Sequence, residues 1–328
     1  MSWKVGSNSN CIIFDEGWQY PAITEKHASM QMMKVDSILP YQFVGFPWAT
    51  LIDFKNRAKE DDVSIYLDKL MSCPMPFSER RITVSQHIST LKRIDFFKEM
   101  GVTDIFCAHA TDDKYLVDGI RIHAFPLYPV QTPTLNSIIE KNSLSRPRKF
   151  LYSFVGTYPE KGYISDIRKK IFDNFTDPSG IIIRRKEWHY EQIVYKKQIG
   201  GGDLDEQTKL EKNAQEQEYK QILSESTFSL CPSGSGPNSI RLWESLGSLS
   251  IPVIFSNNLR LPGDQSLWNR AALILREDTE SPENIIKELS RISKDESTLL
   301  EMRKACMELW LRYGKDCFVY DILKLLRV

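Results

Sequence analysis

The sequence predicts an α/β protein with two halves, each organised around a mostly parallel sheet. Short apolar, β-prone runs alternate along the whole chain with segments of helical periodicity. Strands that alternate with helices favour parallel pairing with both faces of the sheet covered. The chain has 328 residues, which is enough for two domains of about 150 residues each.

In the first half, five runs are predicted as strands: residues 11–14, 42–46, 81–84, 104–108 and 120–125. A helix is predicted over residues 87–100, because Ile88, Leu91, Ile94 and Phe97 repeat at helical spacing. Three prolines then interrupt the chain before a short predicted helix at 134–141. Residues 142–149, NSLSRPRK, are predicted to form the linker between the halves.

The second half repeats the alternation of strands and helices. Strands are predicted at residues 150–155, 180–185, 227–231, 251–255 and 272–276. Helices are predicted at residues 161–175, 206–224, 282–292 and 298–313. The division into domains is therefore predicted at residues 1–145 and 146–328.

The composition excludes several classes of protein. Apolar residues make up 41% and charged residues 26% of the chain, which is ordinary for a soluble globular protein. The 43 basic and 43 acidic residues cancel, so the charge gives no reason to expect a nucleic-acid partner. No apolar run approaches the length of a membrane span, and the N-terminus lacks a signal-peptide pattern. The six cysteines form no C-x-x-C pair, so no zinc site is indicated.

The most informative segment is STFSLCPSGSGPNSIRLWESLGSLSIPVIFSN, at residues 226–257. It predicts a strand, a glycine-rich loop, a short helix and a second strand. Asn238 or Ser239 is expected to cap the helix, and Gly247 to end it. A loop of this kind directs backbone N–H groups and the positive end of the helix dipole at one spot, which suits a phosphate.

One face of this helix carries three polar residues. Asn238, Arg241 and Glu244 are spaced three residues apart and therefore share one side. An arginine in the first turn is suited to bind a diphosphate, and a glutamate one turn later to accept hydrogen bonds from a ribose. The alternative is an Arg–Glu pair on the surface of an ordinary helix.

The same segment resembles the signature of the exostosin-type glycosyltransferases, which runs Phe-x-Leu-Cys-Pro-x-Gly, then Ser-x-Arg-Leu-Trp-Glu, then Ile-Pro-Val-Ile. The matching residues here are Phe228, Leu230, Cys231, Pro232, Gly234, Ser239, Arg241, Leu242, Trp243, Glu244, Ile251, Pro252, Val253 and Ile254. Residues 150–156, FLYSFVG, are similar to the strand and turn that open the donor-binding half in that family. One departure is Leu249, which stands where relatives usually carry Gly.

The resemblance implies a GT-B fold, in which two Rossmann-like domains with parallel sheets face a central cleft. Residues 1–145 would bind the acceptor and residues 146–328 the nucleotide-sugar donor. The last helix, within residues 316–326, would pack back on the first domain. The resemblance also implies an inverting transfer. No metal is required if Arg241, the backbone N–H groups around 234–239 and the helix dipole suffice to stabilise the leaving diphosphate.

The donor-binding residues expected on this basis are Gly156, Thr157, Arg184, Arg185, Ser233, Gly234, Ser235, Gly236, Asn238, Ser239, Arg241 and Glu244. Weaker candidates are the aromatic cluster Trp188-His189-Tyr190, which would stack on a base or sugar or simply pack, and a mobile lid at 199–205. Asp203-Leu204-Asp205 has the spacing of a manganese-binding triplet in another glycosyltransferase fold. No strand precedes it, so no metal role is assigned.

The base that accepts the acceptor proton is expected from the first half. His109 follows the strand at 104–108 and would lie at the carboxyl edge of the sheet, where ligands bind in open α/β folds. Its imidazole titrates near neutral pH, as a general base should. His87 is the second candidate and Asp15 the third. For any one of them the alternative is a purely structural hydrogen bond.

The sequence is therefore expected to encode a cytoplasmic glycosyltransferase for surface polysaccharide or lipopolysaccharide synthesis. Its expected partners are a nucleotide-sugar and a glycan or glycolipid acceptor, with peripheral association at the inner face of the plasma membrane left open. A second hypothesis is a non-catalytic GT-B scaffold that binds glycan. A third is another Rossmann-type nucleotide enzyme such as a dehydrogenase, although Ser239 stands where its third glycine would be.

Overall fold

The computed structural model describes residues 3–6, 10–74, 80–132, 144–158, 162–185, 206–278 and 281–326. Within these ranges the chain forms a seven-stranded and a five-stranded sheet, both covered by helices. We call residues 3–132 the first half and residues 144–326 the second half. No helix in the described ranges is both long enough and apolar enough to cross a membrane.

The sheet of the first half has the strand order β1-β2-β3-β4-β5-β7-β6. Its strands are β1 (Trp3–Val5), β2 (Cys11–Phe14), β3 (Gln42–Gly45), β4 (Arg81–Ser85), β5 (Asp104–Cys107), β6 (Leu116–Val117) and β7 (Ile120–Ala124). Strands β2 to β5 and β7 pair in parallel. The short edge strands β1 and β6 pair antiparallel with β2 and β7, and neither was predicted.

Four α-helices lie in the described part of the first half: α1 (Thr24–Met32), α2 (Trp48–Asn56), α3 (Glu60–Met71) and α4 (Ile94–Glu99). The helix predicted over residues 87–100 was too long, because α4 begins only at Ile94. The preceding residues turn instead, and a 3₁₀ turn covers Thr90–Lys92. The Thr90 hydroxyl donates to the His87 carbonyl at 2.6 Å, a side-chain hydrogen bond that competes with continuous helix.

The second half has five parallel strands in the order β12-β11-β10-β8-β9. These are β8 (Phe150–Gly156), β9 (Ile181–Arg184), β10 (Ser226–Pro232), β11 (Ile251–Phe255) and β12 (Leu273–Leu275). All five were predicted within two residues at either end. The strands pair through short apolar runs that are mostly buried, which is typical of a sheet covered on both faces.

The helices of the second half are α5 (Ile167–Asn174), α6 (Glu206–Ser224), α7 (Ile240–Ser248), α8 (Gln265–Ala271), α9 (Pro282–Ser293), α10 (Glu296–Tyr313) and α11 (Tyr320–Leu326). Helix α5 was predicted from residue 161 but begins at Ile167. Before it, Gly162 has φ +98°, and the Ile164 N–H donates to the Gly234 carbonyl at 3.0 Å. This segment therefore crosses the glycine-rich loop instead of extending the helix.

Each sheet has its own core, and the end of the chain contributes to both halves. In the second half, Trp243, Trp268 and Trp310 belong to one buried cluster. On one face of the first sheet, Phe318 and Ile322 are completely buried in a cluster with residues of β2 to β5. The segment that contains α11 thus lies on the first half, although it follows the second half in sequence.

The halves also meet at a line of backbone contacts that we call the seam. The Asp112 N–H donates to the Asn258 carbonyl at 3.1 Å, and the Arg260 N–H donates to the Ala110 carbonyl at 3.1 Å. The residues between these pairs form an isolated antiparallel bridge. The seam therefore fixes the second half against the loop that follows β5.

The predicted α/β class, with two mostly parallel sheets, is confirmed. The domain boundary at 145/146 stays a prediction, since it lies in a region only partly described. The predicted helix at 134–141 and the first two residues of the predicted linker fall outside the described residues.

Candidate active site

A cleft of about 880 Å³ lies between the two halves. Residues that follow the carboxyl ends of strands in both sheets line it, as expected for ligand sites in open α/β folds. The first half contributes Gln19, Asp53, His87 and His109, among others. The second half contributes the residues after β8, β9 and β10 and the start of α7.

Strand β10, the glycine-rich loop and α7 form as predicted, with Leu242, Trp243 and Leu246 buried under the helix. The side chains at the start of α7 do not cap it as expected. Ser239 makes no side-chain capping hydrogen bond. The Asn238 amide instead donates to the Ala108 carbonyl at 2.6 Å and accepts from the Trp243 indole N–H at 3.0 Å. Asn238 thus ties the loop to the first half.

The predicted end of α7 was also wrong. Gly247 does not stop the helix, which continues to Ser248, and Leu249 takes the left-handed conformation with φ +52°. The left-handed position that follows a helix is usually occupied by glycine. Gly247 serves a packing role instead, because a Cβ there would lie 2.8 Å from the Trp310 ring.

Arg241 reaches from the first turn of α7 to the end of β8. Its guanidinium lies 4.4 Å from the centre of the Phe154 ring and donates to the Val155 carbonyl. Its Nε and Nη1 atoms are buried and have no hydrogen-bond partner among the described residues. Gly156 permits this approach, since a Cβ there would stand 3.3 Å from Arg241 Nη2. A buried guanidinium with unused N–H groups beside a cleft is suited to bind an anion.

Glu244 lies one turn later, lines the cleft and is 4% exposed. Its Oε1 accepts the Gln131 N–H at 2.9 Å, and its Oε2 accepts the Tyr219 hydroxyl at 2.7 Å. Burial raises the pKa of Glu244. Because each carboxylate oxygen has two lone pairs, Glu244 can accept further hydrogen bonds in addition to these two.

A second arginine, which the sequence did not single out, lies next to Arg241. Arg168 in the first turn of α5 donates to the Ser233 carbonyl at 2.8 Å and to the Tyr163 hydroxyl at 3.1 Å. Burial lowers the pKa of Arg168 to about 10, and the positive charge of Arg241 acts in the same direction. Two neighbouring half-buried like charges repel, so an anion between them would relieve that repulsion.

Both arginines occupy the first turn of a helix, where the dipole disfavours a cation. This was the one local signal for Arg168, because Ser233 and Arg241 come from segments far away in sequence. The starts of α5 and α7 both approach the Gly234 loop: a Cβ at Gly234 would lie 2.9 Å from Arg168 Nη2. Two helix N-termini and two guanidinium groups therefore converge at one spot that is suited to an anion.

The structure brings most of the predicted donor residues together. Those that line the cleft are Gly156, Thr157, Arg184, Arg185, Gly234, Ser235, Gly236, Asn238, Ser239, Arg241 and Glu244. Ser233 is only 2% exposed and is not part of the lining; its hydroxyl lies 3.4 Å from that of Ser165. Arg185 forms an ion pair with Glu218 of α6.

His109, the first candidate for the base, faces the cleft from the end of β5. Its Nδ1 is buried without a hydrogen-bond partner among the described residues. Burial lowers the pKa of His109 to about 3, and the neighbouring His87 acts in the same direction. A Cβ on Gly236 would lie 2.6 Å from His109 Nδ1, so the ring stands directly against the glycine-rich loop.

His87, the second candidate, belongs to a hydrogen-bonded group that includes two residues missed from the sequence. Its Nδ1 accepts the Ser89 N–H at 2.9 Å, which assigns the proton to Nε2. Nε2 then donates to Asp53 Oδ1 at 3.3 Å, and Gln19 donates to Asp53 Oδ2 at 2.6 Å. Asp53 lies on α2, which was not predicted as an element.

Asp15, the third candidate, is placed away from this group. Its carboxylate accepts from Lys4 at 2.5 Å and from the Trp18 indole at 3.2 Å, and it is not among the residues that line the cleft. The aromatic cluster at 188–190, the lid at 199–205 and the acidic triplet at 203–205 fall outside the described residues. Within the described ranges no group of three or more His, Cys, Asp or Glu residues could hold a metal ion.

Comparison with known proteins assigns the family. The model of the Exostosin GT47 domain matches residues 85–289, which is more than half of the chain and includes the whole segment from β10 to β11. The chain therefore belongs to the exostosin GT47 family of glycosyltransferases, and the resemblance noted in the sequence is confirmed.

The individual relatives share only part of their sequence with this chain, at low identity. The chain is 26% identical over 151 residues to an Exostosin-1 homolog of Caenorhabditis elegans, covering 46% of this chain and 38% of that protein. It is 32% identical over 138 residues to Exostosin-1c of Danio rerio, covering 40% of this chain and 17% of that protein. It is 26% identical over 198 residues to Exostosin-1 of Bos taurus, covering 58% of this chain and 24% of that protein. The chain thus matches well under half the length of these relatives.

A search of solved structures finds Anabaena Alr3699/HepE, crystallised in complex with UDP and glucose. The sequences are 6% identical and the TM-score is 0.45, with 93% of this chain and 81% of that chain covered. A likeness at this level carries no conclusion about ligands.

Proposed function

We propose that this protein is an inverting glycosyltransferase that moves a sugar from a nucleoside-diphosphate sugar to a hydroxyl group of a glycan acceptor. The observation that carries the proposal is the pair of half-buried arginines at the cleft. Arg241 has two guanidinium nitrogens without a partner among the described residues, and Arg168 lies beside it. A diphosphate supplies the negative charge and the acceptor oxygens that this pair lacks.

The same groups would stabilise the leaving diphosphate as the bond to the sugar breaks. Negative charge grows on the diphosphate in the transition state, and fixed N–H donors in a site shielded from water stabilise such charge strongly. Helix N-termini at Ile167 and Ile240 add to this field. We therefore propose that transfer proceeds without a metal ion. The ribose hydroxyl groups of the donor would donate hydrogen bonds to the carboxylate oxygens of Glu244.

Inversion follows if the acceptor approaches from the side opposite the diphosphate. The first half forms the opposite wall of the cleft, and His87 and His109 both line it. A base on that wall would remove the acceptor proton while the arginines hold the leaving group on the other. Membership of the exostosin GT47 family supports glycosyl transfer as the reaction class.

The biological setting belongs to the same proposal and rests on family membership alone. We place the reaction in surface polysaccharide or lipopolysaccharide synthesis, on a glycan or glycolipid acceptor. The protein would act in the cytoplasm, at the inner face of the plasma membrane, where such acceptors are assembled.

The direct test is ligand-dependent thermal stability. Purified protein is heated with each nucleoside diphosphate in turn, in EDTA, and with NAD(P) for comparison. One nucleoside diphosphate should raise the Tm, since a ligand at 100 times its Kd adds about 2.7 kcal/mol of stability. Arg241→Ala should lose that increase. Arg291→Ala, which removes an arginine that is 72% exposed on α9, is the matched control and should keep it.

Two outcomes would reject the proposal. The first is stabilisation by NAD(P) and by no nucleoside diphosphate, which favours a dehydrogenase. The second is an unchanged Tm increase in Arg241→Ala, which means that the diphosphate binds elsewhere. A protein that binds a nucleoside diphosphate but neither transfers nor hydrolyses any nucleotide-sugar would be the non-catalytic scaffold.

A further inference from the structure

Asp53 is a buried carboxylate on the wall of the cleft that faces the two arginines. It lies on α2 and is 5% exposed, and it belongs to the cleft lining. Gln19 donates to its Oδ2 at 2.6 Å, and His87 donates to its Oδ1 at 3.3 Å. A carboxylate oxygen has two lone pairs, so each oxygen can accept one more hydrogen bond from the cleft.

His87 is poorly placed to take a proton from a substrate. Its Nδ1 accepts the Ser89 N–H at 2.9 Å, and its Nε2 carries the hydrogen that points at Asp53. Both ring nitrogens are therefore engaged within the first half. A histidine held in this way fixes the orientation of the carboxylate it bonds to.

His109 Nδ1 has no hydrogen-bond partner among the described residues, but its ring lies on the donor side of the cleft. Burial lowers the pKa of His109 to about 3. His109 also stands against Gly236 of the loop that approaches the arginines. It is therefore better placed to contact the donor than to activate the acceptor.

We propose that Asp53 is the general base of the transfer reaction and that His87 is its positioning residue, an assignment that rests on the proposed function. The acceptor hydroxyl donates its proton to a carboxylate oxygen of Asp53. The acceptor oxygen forms a bond to the anomeric carbon, and the bond from that carbon to the diphosphate oxygen breaks. The electron pair of that bond leaves with the nucleoside diphosphate. Protonated Asp53 releases its proton to water after the products depart.

The primary test is Asp53→Asn, which keeps the size of the side chain and removes its basicity. With the donor identified by the thermal-shift screen, kcat for transfer should fall about 100- to 10,000-fold, the range typical of losing a general base. The Kd for the nucleoside diphosphate should stay within twofold of the parent value. Asp61→Asn, which alters an exposed carboxylate on α3, should leave both values unchanged.

A chemical rescue experiment distinguishes loss of the carboxylate from a folding defect in Asp53→Asn. Asp53→Ala leaves space at the site, and added formate supplies a carboxylate in place of the one removed. Formate should raise kcat of Asp53→Ala at least tenfold and leave the parent enzyme unaffected. Circular dichroism and Tm establish which of the two variants is folded.

The positioning role of His87 is tested by a pair of variants. His87→Gln retains an amide N–H close to the position of Nε2, whereas His87→Leu has no donor. The kcat of His87→Gln should be at least tenfold higher than that of His87→Leu, while both variants bind the nucleoside diphosphate with the same Kd. Equal kcat values in the two variants would remove His87 from the assignment, because a merely structural role would not depend on an N–H group at this position.

Three results would overturn the role of Asp53. One is kcat within tenfold of the parent in folded Asp53→Asn. Another is a raised acceptor KM at unchanged kcat, which would make Asp53 a binding residue only. The third is loss of transfer in His109→Gln with Asp53→Asn still active, which would return the role to His109. Failure of the proposed function looks different, because the parent protein would then bind no nucleoside diphosphate.

Discussion

Leu249 occupies a backbone conformation that costs an L residue about 1 kcal/mol or more. It has φ +52° and ψ +31°, and its side chain is 1% exposed within the second core. The family signature usually carries glycine there, which adopts this conformation without strain. In this chain the residue is leucine, and burial of its apolar side chain opposes the backbone strain.

Two substitutions at this position separate the two effects. Leu249→Ala should lower the free energy of unfolding by about 2–5 kcal/mol, through the lost burial of the side chain, while the backbone strain stays. Glycine is ordinarily the less stable of the two small residues in an ordered segment, by about 0.5–1 kcal/mol. At this φ we expect the reverse, with Leu249→Gly at least as stable as Leu249→Ala in urea unfolding. A clearly less stable glycine variant would contradict the strain.

At the scale of elements, helix α2 is held by a carboxylate from α1. Glu25 is 2% exposed, and its Oε1 accepts the N–H groups of Ala49 at 3.1 Å and Gln86 at 3.0 Å. These bonds join the start of the helix that carries Asp53 to the loop that carries His87. Burial raises the pKa of Glu25 to about 8.

The raised pKa of Glu25 predicts a pH-dependent stability. An unfolded glutamate releases its proton near pH 4.3, whereas the folded one holds it up to about pH 8. Stability from this group is thus full below the lower value and falls as pH rises to the upper one, by at most about 1.4 kcal/mol per pH unit. Glu25→Gln should abolish that fall.

The measurement is urea unfolding of both proteins at pH 5.5, 6.5 and 7.5. The parent should lose stability relative to Glu25→Gln across the series, and a constant difference would exclude the expected titration. Glu25→Ala is the informative companion, because it leaves two N–H groups without their acceptor. It should be destabilised by about 2–4 kcal/mol, since a buried unsatisfied donor costs about 1–3 kcal/mol.

The elements differ in how far local sequence predicts them. The parallel strands and most of α7 were predictable, because apolar runs, a glycine-rich loop and three-residue spacing are local patterns. Helix α2 was not, since seven successive residues, from Trp48 to Phe54, are all buried and leave no polar face to give a helical period. Asp53 lies within that buried run and therefore carried no visible signal of function.

The site shows the same limit. Arg241 and Glu244 share a helix face, so their spacing alone brought them together. Arg168 meets Ser233 across 65 positions of sequence, and Gln19 meets Asp53 across 34. Such contacts are set by how helices pack on the two sheets, which no local pattern specifies. The family resemblance predicted site residues of the second half, because the family signature lies there.

At the scale of the whole molecule, the segment before α11 joins the end of the chain to the first half. Phe318 is completely buried. Its ring centre lies 5.1 Å from that of Phe125 and 5.2 Å from that of His27. The Gln31 amide also donates to the Lys315 carbonyl at 2.6 Å. These contacts hold the first half against a segment from the far end of the sequence.

Phe318→Ala should therefore destabilise the protein by about 3–5 kcal/mol, the usual cost of removing a buried phenylalanine side chain. Leu311→Ala on α10 is the control, because Leu311 is 45% exposed and such changes usually stay within about 0.5 kcal/mol. Urea unfolding measures both. A loss below about 1 kcal/mol in Phe318→Ala would mean that the C-terminal segment contributes little to holding the halves together.

The seam limits how the two halves can move. Pulling them straight apart would break the hydrogen bonds from Asp112 to Asn258 and from Arg260 to Ala110. Rotation about that line would keep both bonds, but it is also resisted by the bonds from Asn238 to Ala108 and from Gln131 to Glu244. A hinge at the seam alone would therefore not open the cleft.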